Sequence, residues 1–264
     1  MPLVSVIIPT YNDAHYLKDS IASITNQTFT DWEIIIVNDG TTNSDCLQIL
    51  ANINNPKITV LHKQNGHLAA ARNFGIASAK GSIIVTLDAD DKFEKTFLQK
   101  GVTILNKNKH IGVVTCYLKS FGNRNFKWQP LGGSIQNFLY RLECTASAMY
   151  RKQCWVNADG YDEQMKLGYE DWEYWIRVTA CGWEVAVIPQ YLLLYRTTAN
   201  QMSVTQSEPN REKIINYIMT KHKDLYYTQL KASIVAKKIL DLTHKKTAKK
   251  QLLKNMYWAY TNKL

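Results

Sequence analysis

The chain has 264 residues, 45% of them hydrophobic and 20% charged, which is enough to bury a sizeable core and excludes a disordered or fibrous protein. Its five cysteines (Cys46, Cys116, Cys144, Cys154 and Cys181) are scattered without a CxxC pair, a pattern that argues against a zinc site and for a reduced, cytoplasmic setting. The formal net charge of +10 is matched by the excess in residues 211–264, where 13 Lys and Arg stand against 3 Asp and Glu, and the remainder of the chain balances.

The apolar run from Leu3 to Ile8 is too short for a secretory signal and has no basic segment before it. No run of about 18 apolar residues occurs, so no spanning helix is expected. From the start, strand and helix signals alternate. Val4 to Ile8 is a β-branched strand ended by Pro9, and Leu17, Ile21 and Ile24 follow at helical spacing, with Asn12 or Asp13 placed to cap that helix. Glu33 to Val37 is a second strand, stopped by Asn38-Asp39-Gly40. Asp45 to Ile53 reads as a helix, Ile58 to Leu61 as a strand and Leu68 to Ala79 as an alanine-rich helix. Ile83 to Leu87 is a fourth strand, running into Asp88-Ala89-Asp90-Asp91. Apolar strands interleaved with helices imply parallel βαβ units, with helices on both faces and ligands beyond the carboxyl ends of the strands. The polar clusters fall at those ends. Residues 110–200 are more mixed, with Val185 to Ile188 as a strand and Trp172, Trp175 and Ile176 at helical spacing. After Pro209 the chain is helical and lysine-rich.

Three segments carry chemistry. Asp88 and Asp90 are two carboxylates two residues apart at a strand end, suited to share Mg²⁺ or Mn²⁺ with phosphate oxygens; an ordinary acidic turn is the bland alternative. In Asn65 to Gly75 (NGHLAAARNFG), Gly66 frees the backbone before a helix, small alanines allow close packing, and Arg72 offers a fork for phosphate. Its bland reading is a helix with an exposed arginine. Glu170-Asp171-Trp172 opens another helix. Acidic residues there suit the helix dipole, and a carboxylate there is also placed to accept a hydroxyl proton.

Val4 to Asn12 (VSVIIPTYN), Val37 to Gly40, Asn65 to Gly75, Leu87 to Asp91 (LDADD) and Glu170-Asp171-Trp172 occur in an order that resembles the family 2 inverting glycosyltransferases, over roughly residues 3–205. The resemblance implies a GT-A (nucleotide-diphospho-sugar transferase) fold, α/β, with a central, mainly parallel mixed sheet flanked by helices, spanning residues 1–207. Residues 208–264 would form a basic amphipathic helical extension. It implies transfer of a sugar from a nucleotide-diphosphate sugar, favouring UDP, to an acceptor hydroxyl, in polysaccharide or glycolipid synthesis. Pro9, Thr10 and Tyr11 would line the base-and-ribose pocket and Asp39 would bond the base. Asn65, Gly66, Arg72, Asp88 and Ala89 would complete the donor site, with Arg72 at the diphosphate. Asp90, with Asp88, would hold Mg²⁺ or Mn²⁺. Asp171 would be the catalytic base, and Glu170 and Trp172 would bind the acceptor, a saccharide or lipid-linked saccharide.

One departure stands out. Relatives often place a His shortly after a Tyr-Arg pair; here Tyr195-Arg196 is followed by Thr198 at that position, and a hydroxyl is a weaker ligand than imidazole. His67 reads as an exposed loop residue, and the Asp159-Gly160-Tyr161-Asp162 turn as structural. In the tail, Val235, Ile239 and Leu242 form one apolar stripe and Leu252, Met256 and Tyr260 another. Such helices either pack on the catalytic domain or lie on an anionic membrane at its cytoplasmic face, where each lysine contributes about 1 kcal/mol. No nucleic-acid recognition motif is present. Two other readings remain: a non-catalytic binding or scaffold protein on the same fold, which the change at Thr198 leaves room for, and a sugar nucleotidylyltransferase, disfavoured because the first strand lacks a Gly-rich basic loop after it.

Overall fold

The computed structural model describes residues 1–199, 201–237, 246, 247 and 250. The chain divides into two compact units, Met1–Asn216 and Tyr217–Leu264. The first unit begins with β1 (Val4–Thr10), α1 (Leu17–Thr25), β2 (Trp32–Asp39), α2 (Ser44–Ala51), β3 (Ile58–Lys63), α3 (His67–Ser78) and β4 (Ile83–Thr86). These are the alternating elements that the apolar runs predict. The mixed middle then resolves into β5 (Lys92–Phe93), α4 (Phe97–Lys107), β6 (Ile111–Gly122), β7 (Lys127–Trp128), α5 (Ile135–Phe138), β8 (Met149–Arg151), α6 (Lys152–Asn157), α7 (Glu170–Ala180) and β9 (Glu184–Thr197). Helix α8 (Arg211–Lys221) follows a π-helical turn at Ser203–Ser207, and residues 223–237 are helical again.

The strands form one mixed sheet in the order β3-β2-β1-β4-β8-β6-β9-β5, with β7 on β6. The β1 to β4 half is parallel, as is the β6–β9 pair, while β8 runs antiparallel between β4 and β6. Strand β1 is buried throughout because both its faces are covered, which is why it reads as a continuous apolar run. Val4, Val6 and Ile8 pack with Ile34, Ile36, Leu17, Ile24 and Leu50 in one core. Ile7 and Val37 point the other way, towards α3. A Cβ on Gly75 would lie 2.6 Å from Ile7 Cγ2 and 2.9 Å from Val37 Cγ2, so the glycine lets the helix sit directly on the sheet.

Three local expectations are corrected. Neither Asn12 nor Asp13 caps α1, which is preceded by a 3₁₀ turn at Ala14–Tyr16. Asn12 instead adopts φ +58°, and its Oδ1 accepts from Thr42 N and Asn43 N at 3.1 Å each, tying the end of β1 to the loop after β2. At the start of α3 the left-handed residue is His67 (φ +68°), not Gly66. Gly66 is required by space, since a Cβ there would lie 2.6 Å from Lys63 Nζ and 2.9 Å from Ala70 Cβ. Finally, β9 does not stop at Ile188. Its pairing with β6 shifts register around Cys116 and Tyr117, which accommodates Pro189, and the strand continues to Thr197. That continuation carries Tyr195 and Arg196 to the site.

In the second unit, Tyr227, Leu230, Ile234 and Val235 are exposed on helical backbone. The expected tail positions Ile239, Leu242, Leu252, Met256 and Tyr260 lie outside the described residues. Among the described residues no helix is long and apolar enough to cross a membrane.

Candidate active site

The site forms where β1, β2 and β4 end and α3 and α7 begin, as carboxyl-end ligand binding in parallel sheets requires. At the end of β1, Thr10 is buried with its Oγ1 lacking a hydrogen-bond partner among the described residues, and Tyr11 is 47% exposed beside it. Asp39 ends β2. Its Oδ1 accepts from Gly66 N at 3.0 Å and from Lys63 Nζ at 2.8 Å, while Asn65 Nδ2 donates to the Asp39 carbonyl at 2.9 Å. Asp39 thus fixes the Asn65-Gly66 turn that opens α3. Lys63, which the sequence reading did not single out, is its counter-ion; only its place at the end of the third strand hints at this.

The acidic turn after β4 holds Asp88, Ala89, Asp90 and Asp91. Burial, and then the charge of Asp88, push the Asp90 carboxyl up to about 7. Asp91 is buried, raised by burial and then by Asp90, and accepts from Arg196 N at 2.9 Å. Arg196 also donates from Nε to the Asp90 carbonyl at 3.0 Å and from Nη2 to Asp19 Oδ2 at 2.8 Å, with its guanidinium over the Tyr16 and Phe121 rings. It braces the turn from behind.

Arg72, expected at the diphosphate, is buried in the interior. It is 0% exposed, and Nη1 donates to Glu170 Oε1 at 2.5 Å while Nη2 donates to Asp88 Oδ1 at 2.7 Å. Burial opposes its charge, but Asp88 and then Glu170 outweigh this and hold its pKa above the ordinary arginine value. The Tyr161 ring lies 5.4 Å away, and Asn73 clamps that turn by donating to Tyr161 O and accepting from Tyr161 N. The Asp159–Asp162 turn is therefore structural, and it serves the site through Tyr161.

Helix α7 begins at Glu170, after Tyr169 in left-handed conformation (φ +56°). Glu170 is turned towards Arg72 and is 4% exposed, and Trp172 is held by its Nε1 on the Phe138 carbonyl at 2.6 Å. Neither is among the residues that line the open cavity. Asp171 between them does face it. Its Oδ1 accepts from Trp172 N at 2.8 Å. Burial and then Glu170 push Asp171 up to about 7, against the pull of Arg72 and that backbone N–H.

Asp88, Asp91 and Asp171 open onto one cavity of about 420 Å³, whose far wall carries Trp128, Tyr195 and Thr198. A larger groove, of about 770 Å³, runs between α3 and α6 past Asn65, Gly66 and Trp155. It shares no lining residue with the cavity, and its own carboxylates are Asp159 and Glu163.

The chemistry of the donor set fits a hard divalent cation. Asp88 and Asp90 are partly exposed at a strand end, and their mutual repulsion is what a cation would relieve. Among the described residues no group of three or more His, Cys, Asp or Glu is arranged to enclose a metal. Mg²⁺ and Mn²⁺ in phosphate sites commonly take one or two carboxylates, with substrate oxygens and water completing the shell.

A family model for glycosyl transferase family 2 matches residues 5–161, more than half of the chain. The protein is a family 2 glycosyltransferase. An uncharacterized glycosyltransferase of Haemophilus influenzae is 29% identical, over 98% of this chain and 86% of its own. The chondroitin synthase of Pasteurella multocida is 31% identical over 69% of this chain, but only 19% of the synthase is matched. Among solved structures, S. aureus TarS 1-349 in complex with UDP-GlcNAc superposes with a TM-score of 0.69 at 20% identity, covering 83% of this chain and 64% of that 1-349 chain. That likeness gives this family 2 glycosyltransferase its GT-A fold.

Proposed function

We propose that this glycosyltransferase is a metal-dependent, inverting enzyme that moves a sugar from a UDP-sugar onto a hydroxyl of a saccharide or lipid-linked saccharide, in the synthesis of a cell-surface polysaccharide or glycolipid. The observation that carries the reading is that Asp171, from the start of α7, and Asp88, from the end of β4, open onto one cavity. A base and a donor-side carboxylate on a shared opening suit a single displacement. The acceptor oxygen attacks the anomeric carbon, the bond from that carbon to the diphosphate oxygen breaks, and the acceptor proton passes to Asp171. Configuration inverts and the nucleoside diphosphate departs. A carboxyl held near 7 is matched to accepting that proton at neutral pH.

On the donor side, Pro9, Thr10 and Tyr11 take the base and ribose, with the exposed Tyr11 ring against the base. Asp39 offers Oδ2, since its bonds to Lys63 and Gly66 use Oδ1. Asn65, Gly66 and Ala89 contribute backbone to the same pocket. Asp90 and Asp88 would hold Mg²⁺ or Mn²⁺, which when bound supplies positive charge opposite the leaving diphosphate. The UDP-GlcNAc complex of TarS supports a UDP-sugar, and the chondroitin synthase supports a saccharide acceptor.

Residues 1–207 would be the catalytic domain and 208–264 an extension that meets an anionic membrane at its cytoplasmic face. Exposed Tyr227, Leu230 and Ile234, with Lys223, Lys231 and Lys237 nearby, suit such contact. Calorimetric titration with UDP, with and without Mn²⁺, against GDP and dTDP controls, tests the donor reading. Metal-enhanced UDP binding supports it; folded protein that binds no nucleoside diphosphate overturns it.

A further inference from the structure

The leaving diphosphate needs positive charge from the protein as well as from a cation, and the obvious sources are committed. Arg72 is buried between Asp88 and Glu170. Arg196 is spent on Asp19 and the Asp90 carbonyl. Lys63 pairs with Asp39. Thr198, which lines the cavity just after β9, brings no charge.

Among the described residues lining the Asp171 cavity, Arg124 is the one cation, against Asp88, Asp91, Asp171 and Glu208. It sits in the tight connection between β6 and β7, and its backbone is pinned on three sides. Arg124 N donates to Thr197 Oγ1 at 2.8 Å, and its carbonyl accepts from Ser120 Oγ at 2.9 Å and Thr197 Oγ1 at 3.2 Å. Gly122, two residues earlier, adopts φ +95°, and a Cβ there would meet the Thr197 carbonyl at 2.5 Å. This close approach anchors the connection to the end of β9, immediately beside Thr198. The backbone is therefore fixed, while the Arg124 guanidinium has no hydrogen bond or ion pair among the described residues. A pinned backbone thus presents an exposed, uncommitted guanidinium to a cavity that also holds four carboxylates.

We propose that Arg124, reaching the cavity from the β6–β7 connection, binds the diphosphate of the nucleotide-sugar donor. The inference rests on the donor reading above and adds a residue to it. A planar fork suits phosphate oxygens, and the charge would act most on the transition state, where the leaving group becomes more negative.

The test titrates UDP and uridine, each with Mn²⁺, into wild type, Arg124→Gln and Arg124→Lys, after thermal melts establish that all three fold. The expected result is at least a tenfold loss of UDP affinity in Arg124→Gln, an unchanged uridine affinity, and substantial recovery of UDP binding in Arg124→Lys. Equal UDP affinity in Arg124→Gln and wild type overturns the proposal. So does a parallel loss of UDP and uridine, which marks a structural role. If wild type itself binds no nucleoside diphosphate, the donor reading fails and this proposal with it, an outcome distinct from the other two.

Discussion

Arg72 and Glu170, 98 positions apart in the chain, meet at 2.5 Å in the interior, and the same guanidinium reaches Asp88 at 2.7 Å. One buried cation thus ties the acidic turn after β4 to the start of the helix that presents Asp171. Removing it leaves Glu170 buried without a counter-charge, and breaking a buried pair from one side costs about 3–5 kcal/mol. Arg72→Met is expected to lose about that much in urea unfolding. The double variant Arg72→Met/Glu170→Met should lose clearly less than the two single losses added together. Strict additivity would mean that the pair is not coupled.

Asp171→Asn is expected to lower transfer by about 10²–10⁴-fold, the usual contribution of a positioned general base, while UDP affinity changes little. Initial rates and calorimetry on the same preparation check both halves. Full transfer by Asp171→Asn would remove Asp171 from the role of base.

The raised Asp171 carboxyl also sets pH dependence. As the proposed base it must be ionised to accept a proton, so kcat/KM should fall about tenfold per pH unit below a pKa of about 7. Stability runs the other way. The folded-state value lies above the ordinary carboxylate value of 3.8, so the folded protein holds the extra proton between the two. The contribution of this group is full below about 4 and is lost as pH rises through about 7. Thermal melts across that window should show a shallower decline in Asp171→Asn than in wild type, and parallel curves would refute the assignment.

Asp90→Ala should abolish the enhancement of UDP binding by Mn²⁺ and leave the metal-free affinity near that of wild type. A chelator should reproduce this in the unmodified protein. If Mn²⁺ still strengthens UDP binding to Asp90→Ala, the cation is held elsewhere.

Gly75→Val places a branched side chain where even a Cβ would lie 2.6 Å from Ile7. Overpacking of this kind costs about 1–3 kcal/mol. Chemical denaturation should show that loss, and an unchanged midpoint would mean that α3 can lift off the sheet without penalty.

The sequence by itself determined the architecture of the first half and the order of its motifs. Strands buried on both faces must be continuous apolar runs, and helices lying on them need small residues such as Ala69, Ala70 and Gly75, so β1, β2, β4 and α3 were legible, while the half-exposed edge strand β3 showed in its β-branched residues. So was the fall of polar clusters at strand ends. The second half was harder to read because its strands are antiparallel insertions or run past irregularities. β8 has three residues, and β9 crosses Pro189 through a shift of register. What only tertiary structure decided is which charged side chains line the cavity. Arg72, Glu170 and Asp171 are equally polar in the sequence, yet pairing across 98 positions buries the first two and leaves Asp171 on the cavity wall. Local pattern carries backbone preference and burial period, whereas the partner of a charge depends on contacts between segments that only the folded sheet brings together.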